Sequence, residues 1–351
     1  MPTTDYIERV VNLHIHTVHS DGSGTVPEIA EAASEAGVEV LIVTDHNVYR
    51  PEEEGWYGEV LVLVGEELND PVHPHRNHLL VLGAEDDLAT HAATLQEAIA
   101  AAKRAGALPF IAHPIEHSGA RANEPEINWE DRDVTGLHGV ELWNYMSEFK
   151  SYIHTVLHGL LYAYLPSLAI RGPYPETLRL WDAMLTDGPC WAVAGSDAHA
   201  SLYRLGPLRR RILSYRYLFS AVNTHLLLTE GWSGDVRRDR VSVYEALAAG
   251  RAFVGYDLAA PTRGARFVGE RGEKGCTFGG TLSGGKEARL SVDLPAPASI
   301  RLLRNGVPVA EATGSRLDYA AGEPGVYRVE ARRRFRGRSV GWVFGNPIIV
   351  T

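Results

Sequence analysis

Short apolar runs alternate with amphipathic stretches along the first 258 of the 351 residues. The runs have the length of buried strands, and they cover residues 10–13, 40–43, 60–64, 79–82, 108–111 and 191–194. Apolar positions at helical spacing predict helices at residues 27–36, 94–105, 152–165, 176–185 and 242–249. Strands that alternate with helices over this length predict an α/β fold with a parallel sheet or barrel.

The pattern changes near Pro261, where helical periodicity ends. Strand-like pieces follow at residues 289–294, 299–304, 325–331 and 339–344. Turn signals such as Asn305-Gly306 separate them. We therefore expect a first domain over residues 1–261 and a small antiparallel β-sandwich-like domain over residues 262–351. In the second domain, the aromatic residues Phe267, Trp342 and Phe344 are candidates to bury surface against the first domain.

Composition narrows the class of partner. The net charge of -10 argues against nucleic acid or a membrane surface as a partner. Cys190 and Cys276 are too few for a disulfide framework, which favours a reducing cytoplasm. No apolar run approaches the roughly 18 residues that span a bilayer, and the N-terminus lacks the features of a signal peptide. We expect a cytoplasmic protein that acts on a small molecule; its oligomeric state is not indicated.

Histidine, aspartate and glutamate cluster at the ends of the apolar runs. Buried polar groups are costly unless they are paired or bind metal, and the carboxyl ends of parallel strands meet at one side of a sheet. These strand ends therefore predict one polynuclear metal centre. The candidate ligands are His14, His16, Asp21, His46, Glu66 or Glu67, His78, His113, Asp197 and His199.

Local spacing sharpens some of these assignments and leaves others open. His14 and His16 lie two apart on a strand end, so both imidazoles face the same side. Glu66 and Glu67 point to opposite faces, so only one can enter the site, and a carboxylate is well suited to bridge two cations. The strand pattern does not decide which one enters. Asp45, beside His46, is expected to cap a helix or to orient a ligand imidazole.

Other polar residues fit an ordinary role better. His73 and His75 lie in a proline-rich loop and are expected at the surface. The remaining histidines, His19, His91, His117, His138, His154, His158 and His225, are expected to be surface or core residues. One of Arg204, Arg209, Arg210 and Arg211 can bind an anionic substrate, but solvated or ion-paired side chains fit equally well. The nucleophile elbow Gly-x-Ser-x-Gly and the full phosphate-binding loop Gly-x-x-x-x-Gly-Lys-Ser/Thr are both missing from the sequence.

Six ordered segments resemble the polymerase-and-histidinol-phosphatase (PHP) superfamily: LHIHTVHSDGSG, LIVTDHN, LVGEEL, HLLVLG, FIAHP and GSDAH. Later segments, among them GVELWN, GRAFVGYDLA and GWVFGNPIIV, resemble the branch that includes carbaryl hydrolases, in which a β domain follows the PHP domain. The resemblance implies a distorted seven-stranded (β/α) barrel. It also implies two or three divalent metal ions, which zinc, manganese or iron would supply.

Carried over position by position, the resemblance implies three groups of ligands. His14, His16, Glu67 and Asp197 would hold the first ion. Glu67 would bridge to a second ion, held with His78 and His113, and Asp21, His46 and His199 would hold the third. The family pattern Gly-x-Glu selects Glu67 over Glu66. Asp21 stands where some relatives have histidine, and Glu67, Asp197 and His199 are the implied catalytic residues.

The resemblance implies a metal-dependent hydrolase that uses a metal-bridged hydroxide at a di- or trinuclear centre. A phosphoesterase acting on small, anionic phosphate esters is the first expectation. Carbamate, ester or amide hydrolysis of the carbaryl-hydrolase type is the alternative for an enzyme, and an inactive metal-binding scaffold or regulatory module is the non-enzymatic alternative. A polynucleotide substrate is disfavoured by the acidic charge and by the lack of a stripe of basic and aromatic residues.

Overall fold

The computed structural model describes residues 6–89, 92–120, 126–205, 208–285 and 287–351. In chain order the strands are β1 (Ile7–Ile15), β2 (Val40–Val43), β3 (Gly55–Tyr57), β4 (Val60–Val64), β5 (Glu66–Leu68), β6 (Leu79–Leu82), β7 (Leu108–Ile111), β8 (Gly139–Asn144), β9 (Trp191–Ala198), β10 (Leu202–Leu205), β11 (Leu208–Arg211), β12 (Val222–Leu228), β13 (Ala252–Tyr256), β14 (Arg266–Arg271), β15 (Lys274–Cys276), β16 (Thr281–Leu282), β17 (Arg289–Arg304), β18 (Val307–Ala320), β19 (Gly325–Phe335) and β20 (Arg338–Val350). The α-helices are α1 (Val26–Ala36), α2 (Leu95–Arg104), α3 (Tyr145–Ser151), α4 (Val156–Tyr164), α5 (Pro175–Asp187), α6 (Tyr215–Phe219) and α7 (Val236–Ala248). Short 3-10 helices cover Pro51–Glu53 and Pro166–Leu168. The fold is mixed α/β.

The strands of the first half close into a barrel. Parallel pairing runs from β4 through β2, β1, β9 and β8 to β7. Antiparallel pairing then connects β7 to β6 and β6 to β5. β5 follows β4 along the chain after Gly65, so this last pairing closes the circuit.

Strand β6 departs from the parallel arrangement that the sequence pattern predicts, because it runs antiparallel to both of its neighbours. The start of β6 therefore lies at the same end of the barrel as the carboxyl ends of the parallel strands. His78 immediately precedes β6. Because β6 is antiparallel, His78 at its start lies at the same edge of the barrel as the residues that follow the carboxyl ends of the parallel strands.

Apolar residues on the strands alternate between two clusters. Leu13, Ile42 and Leu63 belong to one cluster, whereas Leu41 and Val62 belong to the other, which also contains residues of α1 and α2. Alternate strand residues point to opposite faces. The first cluster therefore fills the barrel, and the second packs the outer face of the sheet against these helices.

Helix positions follow local capping signals. Thr25 and Glu28 form a capping box at the start of α1, and Gly37 ends this helix in the left-handed conformation. Asp235 caps α7 through the backbone N–H of Arg238, so α7 begins six residues before the predicted start at residue 242. The helix predicted at residues 152–165 begins only at Val156, where Thr155 accepts a hydrogen bond from the His158 N–H. None of the described helices is long and apolar enough to cross a bilayer.

The C-terminal strands continue the barrel sheet instead of forming a separate one. β12 pairs with β1, β13 with β12, and β20 with β13, all antiparallel. The sheet thus crosses the predicted boundary between residues 261 and 262. The strands predicted at 289–294 and 299–304 form one strand, β17, with a register shift between Asp293 and Ala298. Asn305 and Gly306 form the predicted two-residue hairpin loop, with φ angles of 51° and 76°.

Aromatic packing joins the C-terminal strands to the barrel. Phe267, Trp342 and Phe344 are fully buried. Phe344 packs against Trp143 of β8 with ring centroids 5.9 Å apart, and the Trp342 indole donates a hydrogen bond to the carbonyl of Ala260 at 2.8 Å.

Both cysteines of the chain are free.

Candidate metal centre

The Glu67 carboxylate lies at the centre of a cluster of imidazoles. Its Oε1 is 2.7 Å from His78 Nδ1 and 3.1 Å from His113 Nε2. Its Oε2 is 3.1 Å from His14 Nε2, and 3.2 Å from both His16 Nε2 and His46 Nδ1. Five rings therefore converge on one carboxylate that is 1% exposed.

Two further carboxylates extend the cluster towards solvent. Asp197 Oδ1 lies 3.3 Å from His16 Nε2 and 3.5 Å from His199 Nδ1. Asp21 Oδ1 lies 3.1 Å from His199 Nε2, and Asp21 Oδ2 lies 3.8 Å from His46 Nε2. The Asp21 side chain is 57% exposed, so it marks the outer rim of the cluster.

All nine predicted ligands thus come together, in four overlapping groups whose ligand atoms lie within 4.8 Å of one another. The groups are His14, His16 and Asp197; His14, Glu67 and His113; His46, Glu67 and His78; and His16, Asp21, His46 and His199. The last group is the third set implied by the family resemblance, with His16 added. The assignment of these residues as metal ligands stays a prediction.

The donor set fits divalent cations. A carboxylate has about four lone-pair positions, so hydrogen bonds to Glu67 cannot satisfy five imidazoles at once. Both ring nitrogens of His16 and the Nδ1 of His46 are buried without a hydrogen-bond partner. Buried polar groups in proteins are nearly always satisfied. Cations among these nitrogens and carboxylate oxygens would satisfy all of them.

Electrostatics in the cluster favour bound positive charge. Burial raises the pKa of Glu67, but the neighbouring His14, His113 and His16 outweigh burial and hold that pKa well below its usual range. Burial lowers the pKa of His16, but Asp197 and Glu67 outweigh it and raise that pKa to about 9. Metal binding displaces such protons, so a divalent cation among these carboxylates would take the place of the positive charge that the imidazoles carry.

Three of the clustered residues have a left-handed backbone. The φ angles are 61° at His14, 23° at His113 and 52° at Asp197. Residues other than glycine rarely adopt positive φ, and such strain costs on the order of 1–3 kcal/mol each. Strain of this kind persists where the surroundings hold the side chain in a functional position.

The two adjacent glutamates lie in different environments. Glu66 points away from the cluster and accepts a hydrogen bond from the Leu88 N–H at 3.0 Å. Burial raises the pKa of Glu66 to about 7. Of the two, Glu67 alone contacts the imidazoles, as the Gly-x-Glu pattern implies.

Asp45 supports the cluster without entering it. Its Oδ1 accepts hydrogen bonds from the Thr17 N–H at 2.7 Å and the Ser20 hydroxyl at 2.5 Å. Its Oδ2 accepts from the Thr17 hydroxyl at 2.7 Å. Asp45 thereby fixes the turn that carries Asp21 back to the site.

Sequence reasoning missed Glu141, which contacts two of the predicted ligands. Its Oε1 lies 2.9 Å from His14 Nδ1, and its Oε2 accepts a hydrogen bond from the His113 N–H at 2.7 Å. Asn144 donates to the same Oε2 at 3.0 Å. The signal was present in the sequence, because Glu141 is an acidic residue between the apolar Val140 and Leu142 on a buried strand.

A cavity of ≈ 390 Å³ opens over the cluster. Besides seven of the predicted ligands, its walls contain Glu116, Ile127, Met146, Lys150 and Ser201. Lys150 Nζ lies 2.8 Å from Glu116 Oε2, and the Lys150 side chain is 10% exposed. Both residues were missed, because nothing in the sequence connects them to the metal-ligand segments.

The other predicted sites lie away from this cavity. In the described part of the chain, no other histidine lines it: His19, His73, His75, His117, His138, His154, His158 and His225 are all elsewhere. His91 lies outside the described residues. Arg209, Arg210 and Arg211 are exposed on β11, and Arg210 stacks over Tyr164 at 4.1 Å. The Arg204 side chain lies outside the described part of the chain.

Residues 12–178 match the family model of the PHP domain. The chain contains a PHP domain. The matched span holds seven of the nine predicted ligands, and β9 brings the other two, Asp197 and His199, into the same cluster. A search among curated proteins finds no match to the chain.

The chain is similar to several solved structures. One is a two-domain protein from Bacteroides vulgatus containing a predicted PHP-like metal-dependent phosphoesterase, with 15% identity, a TM-score of 0.45, and coverage of 98% of this chain and 96% of that one. Another is a putative metal-dependent phosphoesterase from Bifidobacterium adolescentis, with 15% identity, a TM-score of 0.34, and coverage of 54% and 87%. A third is an amidohydrolase from Chromobacterium violaceum, with 13% identity, a TM-score of 0.30, and the same coverage.

Proposed function

We propose that this protein is a metal-dependent hydrolase that cleaves small phosphate esters with two or three divalent cations. The observation that carries the proposal is the convergence of five imidazoles on Glu67, with Asp197 and Asp21 extending the same cluster. Within the proposal, Glu67 bridges ions held by the surrounding rings. Imidazole nitrogens mixed with carboxylate oxygens suit zinc, manganese or iron.

The proposal includes the distorted seven-stranded barrel of the PHP family. Counting β4 and β5 as one strand interrupted at Gly65 gives seven strands in the closed circuit. Gly65 fits this interruption, because a Cβ there would lie 2.6 Å from the carbonyl oxygen of Val81. Glu67 has the same strand parity as Leu63, whose side chain fills the barrel.

The residues of the chain have distinct roles in the proposed reaction. Divalent cations bound here would lower the pKa of water and stabilise negative charge on the phosphoryl group. Glu67 and Asp197 hold the buried side of the centre, where solvent is excluded. Asp21, His46 and His199 form the exposed side, which places them next to the entry route for substrate and water.

The cavity chemistry supports an anionic substrate. Lys150 contributes an ammonium group to a cavity wall that also contains several histidines. A partly buried ammonium makes strong charge-assisted hydrogen bonds to phosphate oxygens. Within the proposal, Lys150 binds a phosphoryl oxygen or a second acidic group of the substrate, and Glu116 positions its ammonium.

Carbamate or ester hydrolysis of the carbaryl-hydrolase type is the second candidate. Ile127 and Met146 give the cavity an apolar wall that would accept an aryl group. Sequence segments such as GVELWN and GWVFGNPIIV resemble that branch. The same cations would activate water for attack on a carbonyl carbon.

Metal analysis followed by a hydrolase screen tests both candidates. Protein supplemented with zinc, manganese and iron should hold two to three ions per chain and should hydrolyse phosphomonoesters faster than phosphodiesters, carbamates or aryl esters. Turnover of carbamates without turnover of phosphate esters would select the second candidate. Fewer than one ion per chain after supplementation would rule out a polynuclear centre.

A further inference from the structure

The β19–β20 hairpin concentrates positive charge in an otherwise acidic protein. Five arginines lie between positions 332 and 338: Arg332, Arg333, Arg334, Arg336 and Arg338. Within the described ranges, none of them has a carboxylate oxygen within 4.0 Å. In the same group of strands, by contrast, Arg301, Arg304, Arg316 and Arg328 are each paired with a carboxylate. The hairpin thus carries unneutralised charge that an anionic ligand would complement.

A surface depression of ≈ 400 Å³ lies beside this hairpin. Its lining residues are Arg332, Arg333, Arg334, Ser299, Thr313, Ser339, Pro297 and Ala298. Its lining therefore contains donors and no acidic side chain. We refer to it as the arginine depression.

Strand register brings five of these residues to one face of the sheet. Ser299 on β17 lies opposite Thr313 on β18 and opposite Arg332 on β19, so the three form a row across the sheet. Arg334 is two residues further along β19 and therefore shares the face of Arg332. It lies opposite Ser339 on β20. The donors are fixed by paired strands and do not depend on a loop.

Arg333 lies between Arg332 and Arg334 on β19, so its side chain faces the opposite side of the sheet. Its guanidinium lies 4.8 Å from the ring centre of the fully buried Trp342, which orients it. The Nε and Nη1 atoms of Arg333 are buried without a hydrogen-bond partner. Arg333 therefore adds no donor to the depression, and the guanidinium groups on its face are those of Arg332 and Arg334.

We propose that the arginine depression is a second binding site, separate from the metal centre, that takes the phosphate groups of a small anionic ligand. Guanidinium groups bind phosphate oxygens in a bidentate manner, and hydroxyl groups add further donors. Arg332 and Arg334 on one face match the charge of linked phosphates better than that of a single carboxylate. The ligand is therefore a small molecule with a phosphate chain.

The test is isothermal titration of the full chain with inorganic tripolyphosphate at low ionic strength, with matched variants. Arg332→Gln combined with Arg334→Gln should weaken binding at least tenfold. Arg301→Gln combined with Arg316→Gln removes the same net charge from the same group of strands, at arginines that are paired with carboxylates, and should change the affinity less than twofold. The metal centre is identical in all three proteins, so its own affinity for phosphate cancels from the comparison.

Two results would overturn the proposal: equal losses in the two double variants, or no difference between the wild-type protein and the Arg332/Arg334 variant up to millimolar ligand. A melting temperature that stays unchanged in both variants shows that the sheet is intact. Titration with a nucleoside triphosphate then identifies the source of the phosphates. Equal affinity indicates an inorganic phosphate chain, and a tighter complex indicates a nucleotide. Binding only to single-stranded oligonucleotides, with affinity growing with length, would replace the small ligand by a nucleic acid and so contradict the proposal.

Discussion

The Oε1 atom of Glu141 lies 2.9 Å from Nδ1 of His14, on the opposite side of the ring from Glu67. A carboxylate in this position holds the ring proton on Nδ1 and leaves the Nε2 lone pair directed into the cluster. Carboxylates behind metal-binding imidazoles act in this way by fixing the tautomer and the ring orientation. Glu141 is therefore a positioning residue for the predicted metal centre.

Replacing Glu141 by Gln should weaken the binding of divalent ions by about 10–100-fold, the usual effect of losing such a partner. The amide removes the negative charge that holds the proton on Nδ1 of His14. Competition with a chromophoric chelator measures the affinity. Glu66→Gln, also a buried acid but outside the cluster, is the matched control. Equal affinities for the Glu141 variant and the wild-type protein would contradict the positioning role.

Glu67→Gln and Glu66→Gln should give opposite results. The Glu67 variant should lose turnover and metal occupancy, because its carboxylate contacts five imidazoles. The Glu66 variant should keep both, because Glu66 is hydrogen-bonded to the Leu88 backbone instead. Metal content and hydrolysis rates of the purified variants provide the measurement. Loss of metal from the Glu66 variant alone would mean that the other face of β5 carries the site.

Lys150→Gln should raise the KM for a phosphomonoester by about 10–100-fold, because a hydrogen bond to a charged group is worth about 1.5–3 kcal/mol. The KM for a neutral aryl ester should stay the same. Lys103→Gln removes an exposed lysine of α2 and is the control. If the two substrates respond equally to the Lys150 change, Lys150 acts through the structure of the cavity and not on substrate charge.

The stability of the protein should fall between neutral and alkaline pH because of His225. Burial lowers the pKa of His225, but Asp257 and Glu8, at 3.0 and 2.8 Å, outweigh it and raise the pKa to about 9. A raised pKa stabilises the fold fully below the unfolded value of 6.5, and this contribution is lost as pH rises through 9. The loss is on the order of 3 kcal/mol.

Unfolding by urea between pH 6 and 10 measures this contribution. Other groups face the same network, since the Thr262 hydroxyl contacts the His225 ring and Arg266 contacts Glu8. Asp257→Asn removes the strongest attraction to the His225 proton, so the decline in unfolding free energy with pH should become shallower. The same decline in both proteins would show that His225 does not titrate in this range.

Truncation after residue 261 should lower the melting temperature while all nine predicted ligands remain in the chain. The shortened protein loses the pairing of β20 with β13 and the contact of Phe344 with Trp143. Burying one such aromatic side chain is worth about 1.5–3 kcal/mol, against a typical net stability of about 5–15 kcal/mol. An unchanged melting temperature and activity would show that residues 262–351 are an independent appendage. Full stability with lost turnover would place part of this segment at the entrance of the cavity.

The sequence predicts many of the barrel strands and the residues at their ends, because the apolar runs mark where the strands begin and end. Predicted strands at residues 40–43, 60–64, 79–82 and 108–111 have the observed bounds. The direction of β6 was not predictable, since an apolar run of four residues does not indicate whether a strand pairs parallel or antiparallel with its neighbours. The pairing of β20 with β13 was equally hidden, because partners almost a hundred residues apart leave no local pattern.

Side-chain partners in the site were harder to predict than its ligands. The choice between Glu66 and Glu67 depends on which face of β4 and β5 lines the barrel, and the run Val60–Val64, apolar at every position, does not indicate that face. Lys150 reaches the cavity from α3, and only the position of that helix over the strand ends makes it a neighbour of Glu116. The break between α3 and α4 at residues 152–155 depends on the Thr155 cap, which competes with continuous helical periodicity.

The left-handed backbone at His14, His113 and Asp197 has a consequence for variation of this protein. Glycine would relax the main chain at each of these positions, and asparagine adopts this conformation more readily than most other residues. Selection for heat resistance and selection for hydrolysis therefore act in opposite directions at the same three codons. A mutant library screened only for survival of heating would accumulate glycine or asparagine there, and its members would lose turnover as they gained stability.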